Sequence, residues 1–102
     1  MPMPETAASP QVLGQLEALA ADLKDRGFTT KITPYGRYPS VDVVNSAASR
    51  LSEQVYAALA PDGAVWFWWS WAERIAPIGE PGAAAATIAR VLAAPHAVAE
   101  RP

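Results

Sequence analysis

The chain has 102 residues, 51% of them hydrophobic and 18% charged, with a formal net charge of -2. That is the size and apolar supply of a single globular domain, and its interspersed charges provide neither a cationic field for nucleic acid nor an acidic tail. Cysteine is absent and histidine occurs once, which excludes disulfides and thiolate chemistry and leaves a transition-metal site short of ligands.

Residues 1–9 contain Pro2 and Pro4 and no apolar periodicity, so they read as a disordered lead-in. Met1–Glu5 lacks the basic start and apolar run of a signal peptide, and no apolar run approaches the roughly 18–20 residues of a membrane span. A soluble cytoplasmic protein without a membrane partner is expected. Ser9-Pro10 offers a helix N-cap followed by proline at the first helical position. Val12, Leu16, Leu19 and Leu23 then fall on one helical stripe until Gly27 supplies a stop.

From Phe28 the period changes to two. Phe28, Thr30 and Ile32 alternate with Thr29, Lys31 and Thr33 in a β-branched run ended by Pro34. Tyr35-Gly36-Arg37-Tyr38-Pro39 is a turn-forming loop whose Tyr35, Arg37 and Tyr38 could stack on a ligand or partner. Residues 41–45 make a second strand and 53–58 a third, separated by a small polar loop over 46–52. Pro61-Asp62-Gly63 marks a hairpin turn into a strand over 64–71. Residues 72–78 form a proline-bearing edge strand or an extended connector. A last helix runs from Pro81 to Ala94 with Ala84, Ile88, Val91 and Leu92 on one stripe, and 95–102 is a tail. The expected fold is therefore α+β: a four- to five-stranded antiparallel meander over residues 10–94, with an N-terminal and a C-terminal helix on one face.

All four tryptophans lie in the fourth strand. Alternation sends Val65, Phe67, Trp69 and Trp71 to one face and Trp66, Trp68 and Ser70 to the other. Two helices cover only one face. If Phe67 and Trp69 meet them, the open face carries Trp66, Trp68, Ser70 and Tyr56, flanked by Gln54, Val44, Asp42, Lys31 and Thr29; with reversed parity, Trp69 and Trp71 are the open pair. Two exposed tryptophans present roughly 300–500 Å², as much as the largest apolar patch of a typical monomer. The expectation is that a second copy, another protein or a ligand covers them.

Catalytic groups are sparse. His96 lies beyond the helix-ending Pro95, and Ser70 lacks nucleophile-elbow glycines. Glu73 and Arg74, at the exit of the tryptophan strand, could orient a polar ligand beside indoles, or be separate surface charges. The element order is superficially similar to double-stranded RNA-binding domains. The start of the last helix is Gly82-Ala83-Ala84-Ala85-Ala86 where those domains place lysines, so RNA binding is not expected. Stacking of single-stranded bases would need more cations than Lys31, Arg37, Arg50 and Arg74 provide.

The run Trp66–Ile75, the alanine-rich helix ending Ile88-Ala89-Arg90-Val91-Leu92, the leading helix and the Tyr-Pro-Ser-Val-Asp-Val segment resemble a group of small uncharacterised actinobacterial proteins over roughly residues 12–94. The resemblance implies no activity and transfers no functional residues. It implies an accessory place in regulation or specialised metabolism. The residues themselves favour a non-catalytic interaction module, without metal or cofactor, that uses the open aromatic face for homodimerisation or docking of a protein partner. The alternative is a small-molecule binder or cofactor-free enzyme with Trp66, Trp68, Tyr56, Glu73 and Arg74 lining its pocket.

Overall fold

The structure, a computed structural model, describes residues 9–34 and 38–93. Its first element is helix α1 (Pro10–Asp25), which begins where the Ser9 side chain accepts the Val12 amide hydrogen at 3.2 Å. Pro10 takes the first-turn position at which a missing N–H leaves nothing unsatisfied. Gly27, at φ 97°, lets the chain turn out of the helix in the left-handed region. Leu16, Leu19, Ala20 and Leu23 are buried on one face of α1.

Five strands follow: β1 (Phe28–Thr33), β2 (Ser40–Asn45), β3 (Ser52–Leu59), β4 (Val65–Trp69) and β5 (Arg74–Pro77). They form one antiparallel sheet in the order β1-β2-β3-β4-β5, and helix α2 (Pro81–Val91) closes the fold. The protein is thus α+β, with the residues 72–78 resolved as a short edge strand. An edge is where Pro77 is tolerated, because it has no N–H to give to a further strand. A register shift between Phe67 and Trp68 leaves Ile75 without an opposite residue, so this edge is also bulged.

Both helices lie on the same face. One core joins Leu16, Leu19 and Leu23 of α1 and Ile88, Ala84 and Ala85 of α2 to Phe28, Val41, Val43, Val55, Ala57, Phe67, Trp69 and Ala76 of the strands. Alternation explains the choice: these strand positions share one side of the pleat. Alanines at the helix crossing let α2 lie close to α1. Asn45, buried at the end of β2, donates its Nδ2 hydrogen to the Leu92 carbonyl at 2.7 Å and accepts the Ala47 and Ala48 amides on Oδ1. It ties the C-terminal end of α2 to the sheet.

Three details differ from the sequence expectation. The tryptophan strand ends at Trp69 rather than Trp71, because Ser70–Ala72 form a tight loop. In that loop the Ala72 amide bonds the Trp69 carbonyl, the Trp69 amide bonds the Glu73 carbonyl, and Ala72 sits at φ 69°. Trp71 therefore leaves the alternation and lies flat on Trp69, with ring centroids 4.8 Å apart and 7° between planes. Helix α2 ends at Val91, with Leu92 as its C-cap. Val91 is 50% exposed rather than part of the core stripe; at about 100° per residue it falls roughly 75° from the mean direction of Ala84, Ala85, Ile88 and Leu92. The lead-in over 1–8, the tail over 95–102 with His96, and Tyr35 and Arg37 lie outside the described residues.

Candidate interaction surface

The parity of β4 follows from burial. Phe67 and Trp69 are 0% and 4% exposed in the core, so Trp66 and Trp68 project from the helix-free side. Register then builds that side as rows running across the strands. One row is Thr33, Ser40, Tyr56, Trp68 and Arg74, each opposite the next. The row toward the Asp62-Gly63 hairpin holds Ala58, Trp66 and Pro77. In the other direction come Lys31, Asp42 and Gln54, and then Thr29, Val44 and Ser52. The aromatic side chains thus occupy the β3–β5 corner, and the β1–β2 corner is polar.

The corner is organised by specific contacts. The Arg74 guanidinium lies 4.9 Å from the Trp66 ring centroid and 5.9 Å from that of Trp68. Such stacking contributes about 0.5–1 kcal/mol at an exposed site. The Trp68 indole N–H donates to the Ala58 carbonyl at 3.0 Å, which lays the ring along β3. Tyr38 meets Tyr56 edge to face at 6.3 Å, and the Tyr56 hydroxyl donates to Gln54 Oε1. Because Arg74 and the neighbouring strand shield them, Trp66 and Trp68 are only partly exposed. The patch is flatter and smaller than two free indoles would make it. Among the described residues the most exposed aromatic side chains are Trp71 (50%) and Tyr38 (47%).

Two hollows indent this side. The larger, about 590 Å³, is lined by Tyr38, Tyr56, Ala58, Leu59, Trp68 and Ser70, together with Trp69 and Ala72. The smaller, about 330 Å³, is lined by Asp42, Val43, Val44, Ser52, Glu53, Gln54 and Ser70. Ser70 is common to both, and its hydroxyl donates to Glu53 Oε1 at 2.8 Å. Asp42 Oδ1 is closed off from solvent without a hydrogen-bond partner.

Of the residues singled out from sequence, Trp66, Trp68, Tyr56, Tyr38 and Arg74 come together, and Ser70 borders them. Glu73 does not join. Its Oε1 accepts the Trp71 indole N–H at 2.8 Å, and it forms no ion pair with Arg74. Ala58 and Leu59 are lining residues that composition did not mark. Counting back from a three-residue Pro61-Asp62-Gly63 hairpin loop places Ala58 opposite Trp66, where a small side chain leaves room for the groove. Among the described residues no group of three or more His, Cys, Asp or Glu is arranged to hold a metal ion, and no helix is long and apolar enough to cross a membrane.

Comparison of the chain with protein-family models, with curated proteins and with solved structures finds no match in any of the three.

Proposed function

We propose that the chain is a non-catalytic interaction module that docks another protein surface on the helix-free face of its sheet. The observation behind this reading is the run Tyr56, Trp68 and Arg74 across β3–β5, with Trp66 beside it and Tyr38 edge-on to Tyr56. Tyrosine, tryptophan and arginine are the residues that dominate binding energy in protein interfaces, and they do so when clustered centrally within a polar surround. Here Lys31, Asp42, Gln54, Ser52 and Ser70 supply polar groups on the side of the cluster away from the Asp62-Gly63 hairpin. Acrylamide quenching tests the reading in a Trp71→Phe background, where Trp69 serves as the buried baseline. Trp66 and Trp68 should be quenched in dilute protein and shielded when the face is occupied. A monomer in which they are protected at every dilution would have no surface left to dock, and the reading would fail.

The groove of about 590 Å³ supports a second reading. Small-molecule sites commonly measure about 300–1,000 Å³ and combine aromatic walls with a few polar groups. A thermal-shift screen against planar aromatic compounds should then give saturable stabilisation that Ala58→Trp, which fills the groove, abolishes. Equal shifts in both proteins would exclude the groove as the site.

A further inference from the structure

We infer that the occupant of the open face is a second copy of this chain, related by a two-fold axis near Tyr56 that sets each Arg74 guanidinium against the partner copy's Asp42 carboxylate. The inference rests on the docking reading above and specifies its partner.

The first observation is a pair of opposite charges left without ion-pair partners. Among the described residues the ion pair present is Arg26–Asp22, so Arg74 and Asp42 have none; Asp42 is partly exposed on the open face, with Lys31 opposite it on β1. They cannot meet within one chain. The guanidinium lies over the β4 rings and Asp42 belongs to β2, with β3 between. Two strand spacings of about 4.8 Å already separate them, and Asp42 lies at least one row further along the strands.

The second observation is the symmetry of the face. Tyr56 is on the middle strand of the five, and the aromatic corner at β4–β5 is diagonally opposite the polar corner at β1–β2. A two-fold axis lying between two such faces, passing near Tyr56 and inclined about 45° to the strands, lays each aromatic corner on the other copy's polar corner. The sheets then cross at about 90°, one of the two ways in which sheets pack. Arg74 meets Asp42, Trp66 meets Lys31, and Tyr56 faces its own counterpart at the centre. Each contact away from the axis occurs twice, as an isologous interface requires. A partner of different sequence would have to supply these complements itself.

The third is area. Five strands about 4.8 Å apart and six residues rising about 3.3 Å each give a face of roughly 24 by 20 Å. Counted on both copies that is about 960 Å² before the relief of the side chains, close to the roughly 1,000 Å² total that a specific interface clears.

The test is sedimentation equilibrium from low to high micromolar concentration on the full chain, on Arg74→Glu, on Asp42→Arg, on an equimolar mixture of these two variants, and on Tyr56→Arg at the axis, with circular dichroism to show that each is folded. The wild type should dimerise, and Arg74→Glu or Asp42→Arg alone should do so at least about tenfold more weakly, because both symmetric contacts become repulsive. The mixture should regain wild-type association, since the two introduced charges then face each other and the two native ones do the same. A wild type that is monomeric throughout overturns the inference. A dimer broken by Tyr56→Arg but indifferent to the charge exchange overturns the Arg74–Asp42 arrangement and leaves the docking reading standing. A dimer indifferent to all three substitutions places the interface elsewhere and overturns the inference, while the docking reading is decided by the quenching of Trp66 and Trp68.

Discussion

Replacing Asn45 by alanine should be among the most destabilising polar substitutions in this protein. Asn45 is 7% exposed, and its side chain makes three hydrogen bonds: Nδ2 to the Leu92 carbonyl at 2.7 Å, and Oδ1 from the amides of Ala47 at 2.8 Å and Ala48 at 3.2 Å. Leu92 is itself buried, so its carbonyl would lose this partner away from solvent, which costs about 1–3 kcal/mol. The Ala47 and Ala48 amides are nearer to water and can be partly resolvated, at about 0.5 kcal/mol each, the low end of a hydrogen bond's net value. The total is about 2–4 kcal/mol. For a domain of this size that lowers the melting temperature by roughly 8–32 °C, at about 4–8 °C per kcal/mol. Urea unfolding followed by tryptophan fluorescence measures it, since Trp69 reports on the core. Asn45→Asp is the informative companion. It keeps the acceptor for both loop amides but turns the donor into a carboxylate facing the Leu92 carbonyl, so it should be at least as damaging as alanine. If Asn45→Ala unfolds within 0.5 kcal/mol of the wild type (about half the net value of one hydrogen bond), the bond from β2 to the end of α2 contributes little, and the account of how α2 is anchored is wrong.

Ala72→Gly should be neutral or stabilising by up to about 1 kcal/mol, because a side chain at φ 69° carries left-handed strain that outweighs the extra unfolded-state freedom of glycine; a loss of 1 kcal/mol in the urea midpoint analysis would contradict this. Arg74→Ala should bare the faces of Trp66 and Trp68, raising acrylamide quenching of the monomer while changing stability by less than about 1 kcal/mol. Unchanged quenching would mean that Arg74 does not shield the indoles.

Much of the fold was legible locally. The Ser9-Pro10 start and Gly27 stop of α1 are signals carried by single residues, and they sit where the chain turns. The β-branched alternation from Phe28 and the Asp62-Gly63 turn likewise marked β1 and the β3–β4 hairpin, since pleat and turn chemistry act over two to four residues. The end of β4 was not legible. Its loop places alanine where glycine or asparagine usually announces a positive φ, so Trp71 read as one more strand position. The clustering of Tyr38, Tyr56, Trp66 and Trp68 could be anticipated from alternation, but the separation of Glu73 from Arg74 could not. Adjacent in sequence, they diverge because the loop hands Glu73 to the Trp71 indole while Arg74, already on β5, reaches back over β4.

The residue pattern alone determined the class of the protein, the order of its elements with the fifth strand left open, and the presence of aromatic side chains on both sides of one strand. Those properties follow from periodicities of two and 3.6, which any segment expresses by itself. Only the tertiary structure decided which side of that strand faces the helices and what lies over the other. Both depend on partners distant in sequence: α1 and α2 had to be placed on one face before Phe67 and Trp69 could be assigned to the core. The bulged pairing of β5 had to be formed before Arg74 could come to rest on Trp66 and Trp68. Non-local contact is the one quantity that no short window of sequence contains.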